Sequence, residues 1–191
     1  MEPPTKRGKR KLAFTIMIVI FVGWSILIYA YSPVEIIRFI GIKNSYLLMF
    51  VLGLIGGTSI FFPLPYYLFE FTLAAGKINP LVLGISTGLG VIAGETTSYL
   101  IGYTGREVLS GRMVKFAEKV NIWCSSKHSW LVPIALFFYG IFIPFPNDLI
   151  IIPLGVARYP YWKMMIPLGV GNIIFNIALS SAGFYGWSLV F

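Results

Sequence analysis

The sequence has few residues that could carry enzyme chemistry or bind a metal. Its 191 residues include one cysteine, one histidine and one aspartate, which are Cys124, His128 and Asp148. A single cysteine excludes both an intrachain disulfide and a cysteine cluster for zinc. No nucleophile or metal constellation can be assembled from so few groups. We therefore expect the chain not to be an enzyme and to need no cofactor.

Charged residues are also scarce. They make up 12% of the chain, against 57% hydrophobic residues, and the mean hydropathy is +0.81. A soluble domain needs more polar surface than this to cover its core, so the composition predicts an integral membrane protein. The net charge of +8 could indicate a nucleic-acid partner. The positions of the cations fit membrane topology better, so we expect membrane lipids and no nucleic acid as partners.

The N-terminal region 1–44 predicts a membrane anchor. Five cations between Lys6 and Lys11 precede a long apolar run. A secretory signal would have a shorter apolar core of roughly 7–15 residues and a small-residue cleavage site. We predict a cytoplasmic basic tail, a retained transmembrane anchor in the plasma membrane, and a short polar connection from Pro33 to Asn44.

Two later apolar blocks, 45–77 and 130–158, are too long for one membrane span of roughly 20 residues and too short for two. The residues that break them are Pro63, Pro65, Pro144 and Pro146. We predict that each block is a re-entrant helical hairpin that enters and leaves on the same side. The remaining segments predict a span at 78–105, an interfacial amphipathic helix at 106–129 and a final span at 161–190.

An internal repeat relates the two hairpin regions. A shift of 81 positions aligns 61–105 with 142–186 without a gap. The pairs that constrain the backbone most are Pro63/Pro144, Pro65/Pro146, Gly88/Gly169, Gly90/Gly171, Gly102/Gly183 and Gly105/Gly186. We interpret 45–191 as one membrane domain built from this repeat.

Charge placement predicts how the two copies are oriented. With the N-terminus inside, only Arg38, Lys43 and Lys77 lie outside, and the other twelve of the fifteen cations are cytoplasmic. The copies are then inverted, which is typical of transporters whose broken segments meet near the midplane. The predicted fold class is an all-α polytopic membrane protein with an inverted repeat and two re-entrant hairpins.

Three acids fall within the apolar segments: Glu70, Glu95 and Asp148. Charged groups at this depth cost several kcal/mol unless they are paired, so these acids are candidates for binding substrate or protons. The alternative is a protonated carboxyl that only bonds the broken backbone. Asn147 precedes Asp148, and Asn176 takes the place of Glu95 in the second repeat, which makes both of them candidate site residues.

Cations provide the other half of a candidate lipid-phosphate site. Lys77 and Arg158 are repeat-equivalent and lie at the ends of the two hairpins, while Arg106 ends the 78–105 span. Each either contacts a phosphate headgroup or extends to the membrane surface without further role. Half-helices that restart after the prolines also expose amide groups that attract anions. We expect them to form an anion-binding cradle in the middle of the membrane.

The motifs from about residue 45 to 187 resemble the DedA/VTT (SNARE-associated) family, in its YqaA-like branch. They include GETTSYLIGYTGR, which begins at Gly94, and FIPFPND, which begins at Phe142. The resemblance implies two inverted re-entrant hairpins and transbilayer movement of lipids. Bacterial members resemble flippases for undecaprenyl phosphate and other phospholipids, often dependent on the proton gradient, and eukaryotic relatives resemble scramblases.

The sequence departs from the family pattern at two places. Tyr66 and Tyr67 stand where many members have Ser-Glu, which assigns the acid role to Glu70. Asn147 and Asp148 stand where many members have paired arginines, which leaves Arg106 or Arg158 to bind a phosphate. The leading hypothesis is a lipid translocase, with proton coupling as a hypothesis that rests on the acids. The alternative is a proton- or ion-coupled carrier for a small solute on the same frame.

Overall fold

The computed structural model describes residues 30–58, 65–105, 129–142 and 147–190 continuously, with isolated positions between 19 and 26 and between 115 and 122. Within those residues it has seven α-helices and no strand. They are α1 Pro33–Ile40, α2 Ile42–Gly57, α3 Tyr66–Ala75, α4 Pro80–Thr104, α5 Leu131–Phe142, α6 Asp148–Val156 and α7 Tyr161–Val190.

Several predicted features lie outside the continuously described residues. They are most of the N-terminal anchor, the interfacial helix 106–129, Arg106, Pro63, Pro144 and Pro146.

Among the described residues, two helices are long and apolar enough to cross a membrane. They are α4, with 25 residues, and the segment Tyr161–Gly186 of α7, with 26 residues. The pair α1 and α2 would make a third candidate if it is one span, although it bends by 95°. The described chain is therefore all-helical with two or three candidate spans, which is compatible with an integral membrane protein.

The polar connection predicted at Pro33 to Asn44 is largely helical. Ser32 caps α1: its hydroxyl accepts from the Glu35 amide at 3.3 Å, and the Ser32 amide donates to Glu35 Oε2 at 2.8 Å. Pro33 occupies the first turn, where its missing N–H has no cost. Gly41, with φ +86°, ends α1 and lets the chain turn into α2. The serine and glutamate three positions apart are a helix-start signal that the sequence already contained.

Each overlong apolar block consists of two helices. In the first block α2 ends at Gly57 and α3 begins at Tyr66, directly after Pro65. In the second block α5 ends at Phe142 and α6 begins at Asp148. The helices that follow the breaks are short, with 10 and 9 residues.

The long helices α4 and α7 pack against each other and carry the other helices. α2 and α6 pack on α4, while α5 and α3 pack on α7. The helix after each break therefore packs on the long helix of the other half of the chain. The two larger apolar clusters of the described core include Leu73 and Leu83 in the first, and Tyr99, Ile151 and Met164 in the second.

Close backbone contacts repeat with the same spacing as the sequence. A Cβ atom on Gly102 would overlap the Ile152 carbonyl oxygen, and a Cβ atom on Gly183 would overlap the Phe71 carbonyl oxygen. Both members of the first pair lie 81 positions from those of the second. Glycine at these two positions lets α6 approach α4, and α3 approach α7, to backbone contact.

We expect Gly102→Ala to lower the free energy of unfolding by about 1–3 kcal/mol, because the added methyl group has no space without a shift of α6. Thermal unfolding in detergent micelles measures the effect. The control is Gly105→Ala, since a Cβ atom there would meet nothing within 4 Å. Equal midpoints for the two variants would contradict the close approach.

Candidate functional site

The centre of the candidate site is the carboxyl group of Glu95 on α4. Its side chain is fully buried and lies three residues after Ile92, the midpoint of α4. Asn172 Nδ2 donates to both carboxyl oxygens, at 2.8 Å and 2.9 Å, and Asn147 Nδ2 donates to Oε1. A buried carboxyl costs several kcal/mol unless polar partners satisfy it. The two amides account for its stability at this depth.

Three elements supply the groups that we call the Glu95 site: Glu95, Asn147 and Asn172. Asn147 is the N-cap residue of α6, directly after the second proline break, and Asn172 lies near the middle of α7. The Asn147 amide also donates to Asn172 Oδ1 at 3.2 Å. Each amide nitrogen therefore faces an acceptor, which fixes the orientation of both amides.

Asp148 lies beside the Glu95 site. It is the first residue of α6, it is 4% exposed, and it is close enough to Glu95 for their charges to interact. The N-terminus of a helix favours a carboxylate, because its first N–H groups lack partners within the helix. We predicted that Asn147 and Asp148 lie at a hairpin tip, and the structure places these two residues beside Glu95.

A second polar cluster surrounds Glu70 on α3. Glu70 is fully buried, and Ser180 Oγ on α7 donates to its Oε1 at 2.7 Å. One turn earlier on α3, the side chain of Tyr66 lies close enough to that of Asn176 on α7 to interact with it. We call these four residues the Glu70 site. Asn176 Nδ2 also donates to the Asn172 backbone carbonyl at 2.6 Å, which connects the Glu70 site to the Glu95 site along α7.

Lys77 and Arg158 do not reach either site. Both are exposed, and both have left-handed backbone, with φ +70° and +54°. The Lys77 ammonium lies 4.8 Å from the centre of the Phe184 ring and donates to the Phe184 carbonyl at 2.9 Å. The Arg158 guanidinium lies 5.3 Å from the centre of the Tyr103 ring. These cations therefore anchor the ends of α3 and α6 to the long helix of the other half.

An apolar groove of about 700 Å³ opens beside α3. Its walls come from α1, α2 and α3 and include Ile36, Phe39, Leu48 and Phe69. Phe39 is 94% exposed, so the groove continues onto an apolar surface. Such a surface suits lipid chains rather than water.

Sequence reasoning missed three members of these sites: Asn172, Tyr66 and Ser180. Asn172 lies one helical turn before Asn176, so the polar spacing along α7 was a usable signal. Tyr66 and Ser180 carried no such signal, since tyrosine and serine are common in apolar segments. Among the described residues, no cluster of three histidine, cysteine or acidic side chains that could hold a metal is present.

Comparison with protein-family models, curated proteins and solved structures finds no significant match for this chain. The resemblance to the DedA/VTT family therefore stays a prediction.

We expect Asn172→Leu to lower the free energy of unfolding by about 1–3 kcal/mol, because the Glu95 carboxyl then keeps only the Asn147 amide. In a Glu95→Leu background the same change should have a smaller effect, and thermal unfolding of the four proteins gives the coupling energy. Asn44→Leu is the control, since Asn44 is an exposed asparagine that bonds only the Ile40 carbonyl. Equal losses in both backgrounds would contradict the contact.

Proposed function

We propose that this chain is a membrane lipid translocase, a flippase or scramblase for phospholipid or polyprenyl-phosphate lipids, related to the DedA/VTT family. The Glu95 site is the observation that carries the proposal. A broken segment delivers Asn147 to a carboxyl near the middle of a helix long enough to span the membrane. Polar groups at this depth are expensive and mark the paths of polar substrates.

The repeated contacts support an inverted-repeat architecture with two re-entrant hairpins. Lys77 packs on Phe184 as Arg158 packs on Tyr103, and each member of one pair lies 81 positions from its counterpart. With the N-terminus in the cytoplasm, α4 and α7 cross in opposite senses, and the two cations lie at opposite faces. Each face then has a cation next to the path of a headgroup.

Access from the bilayer distinguishes a lipid substrate from a small solute. The helices after the breaks expose large apolar side chains, including Leu149, which is 66% exposed, and Tyr67, which is 42% exposed. A lipid tail can remain against these surfaces or in the groove beside α3 while its headgroup passes the polar sites. A small-solute carrier would need a path closed to lipid on all sides.

Reconstitution into proteoliposomes tests the proposal. We expect the purified chain to accelerate exchange of fluorescent phospholipid or polyprenyl phosphate between leaflets, and Glu95→Gln and Asp148→Asn to reduce exchange toward the protein-free rate. Asn44→Leu should keep the rate of the unchanged chain. No protein-dependent movement of any lipid by a folded protein would favour the small-solute carrier instead.

Proton coupling follows if the buried carboxyls exchange protons during transport. A pH gradient should then change the rate of the unchanged chain, whereas any residual exchange in Glu95→Gln or Asp148→Asn should not respond to it. The measurement is the exchange rate with and without the gradient in the same vesicles. If both variants respond to the gradient as the unchanged chain does, the carboxyls do not couple transport to protons, and downhill scrambling is the remaining mechanism.

A further inference from the structure

The Glu95 and Glu70 sites occupy equivalent places in the repeat. Tyr66 and Asn147 lie 81 positions apart, and each stands at the start of the helix after its break. Asn176 and Glu95 are also 81 positions apart, in the two long helices. Tyr66 lies close to Asn176, as Asn147 lies close to Glu95. In both pairs the residue at the break is half-buried, and the residue in the long helix is fully buried.

The two sites differ one helical turn further along. Residues four apart on a helix lie on the same face, so Glu70 follows Tyr66 on α3 and Ser180 follows Asn176 on α7. Their counterparts in the other half are Ile151 and Tyr99, which belong to an apolar cluster. The Glu70 site therefore extends over two turns, while polar contact at the Glu95 site is limited to one turn.

The Glu70 site contains acceptor oxygens that no described residue satisfies. Glu70 Oε2 and Asn176 Oδ1 are buried and have no hydrogen-bond partner. The Asn176 amide cannot be turned round to remove this, because its Nδ2 already donates to the Asn172 carbonyl. A buried acceptor without a donor costs about 1–3 kcal/mol. The missing partner is therefore a group that donates hydrogen bonds.

The charge of the site narrows the chemistry of that group. Ser180 donates to Glu70 Oε1, Thr87 on α4 lies close to the same carboxyl group, and no described cationic side chain interacts with it. A phosphate would add acceptors to a site whose atoms without partners are already acceptors. A protonated primary amine supplies three donors and a positive charge, and the Tyr66 ring at the break can stabilise such a cation.

We propose that Tyr66, Glu70, Asn176 and Ser180 form a second binding site, the counterpart of the Glu95 site, and that it binds a protonated primary amine. The identity of the amine rests on the proposed lipid transport: in a lipid, a protonated primary amine belongs to an ethanolamine-type headgroup. Asn172 connects this site to Glu95: its backbone carbonyl accepts from Asn176, and its side-chain amide donates to the Glu95 carboxyl.

Headgroup selectivity tests the proposal in proteoliposomes. Acyl-labelled fluorescent phosphatidylethanolamine, phosphatidylcholine and phosphatidylglycerol are compared in vesicles of one composition. We expect the unchanged chain to move the ethanolamine lipid about tenfold faster than the choline lipid, whose quaternary nitrogen has no N–H to donate. Asn176→Leu should lose this preference, and Asn44→Leu should keep it. If Asn176→Leu does not fold, Glu70→Gln replaces it, since that change keeps the size of the side chain and removes the carboxyl group that would face the amine.

A binding measurement separates this inference from lipid transport. Thermal unfolding in detergent is followed with ethylammonium chloride and with tetramethylammonium chloride at equal ionic strength. Ethylammonium should raise the unfolding midpoint of the unchanged chain in a concentration-dependent way, whereas tetramethylammonium should not. Asn176→Leu, or Glu70→Gln in its place, should remove the difference.

Each combination of results has a separate meaning. Equal movement of the ethanolamine and choline lipids would overturn the amine site and leave lipid translocation standing. Stabilisation by ethylammonium with no movement of any lipid would support the amine site and overturn lipid translocation. If ethylammonium does not stabilise the protein and no lipid moves, both proposals are overturned. Glu70 would then be a carboxyl that forms hydrogen bonds only within the protein.

Discussion

The hydrogen bonds from Asn147 and Asn172 to the Glu95 carboxyl join three elements that are far apart along the chain. The partners are separated from Glu95 by 52 and 77 residues. In an apolar interior none of the three side chains is stable alone, because a carboxyl needs donors and an amide needs an acceptor. The helix break before α6 and the acid on α4 therefore depend on each other, because the start of α6 carries an amide that donates to the Glu95 carboxyl.

The exchange of short helices between the two halves follows from the same constraint. Because α6 packs on α4 and α3 packs on α7, each polar site lies between different halves of the chain. The cation–ring pairs at Lys77 and Arg158 hold the far ends of these helices to the same partners. Any rotation of one half of the chain against the other would therefore change the contacts of both sites at once.

Residues that constrain the backbone or are rare in membranes could be interpreted from the sequence. The prolines and glycines marked the breaks and the repeat, and Glu70, Glu95 and Asp148 were conspicuous because an apolar segment seldom carries an acid. Their partners could not be predicted, since which side chain of α7 faces Glu95 depends on the crossing of two helices. Lys77 shows the same limit: its position at a helix end was evident, but its ring partner lies 107 residues away. The helix α1 is different, because its capping signal at Ser32 and Glu35 is local.

The chemical difference between the two sites matters more than their equivalence. At the Glu95 site the protein supplies the donors, so the carboxyl is satisfied when nothing is bound. At the Glu70 site two acceptor oxygens lack donors within the described chain. A group that donates hydrogen bonds therefore gains more at Glu70 than at Glu95, where it must compete with two amides. If the chain translocates lipids as proposed, a headgroup would meet two polar sites of different chemistry.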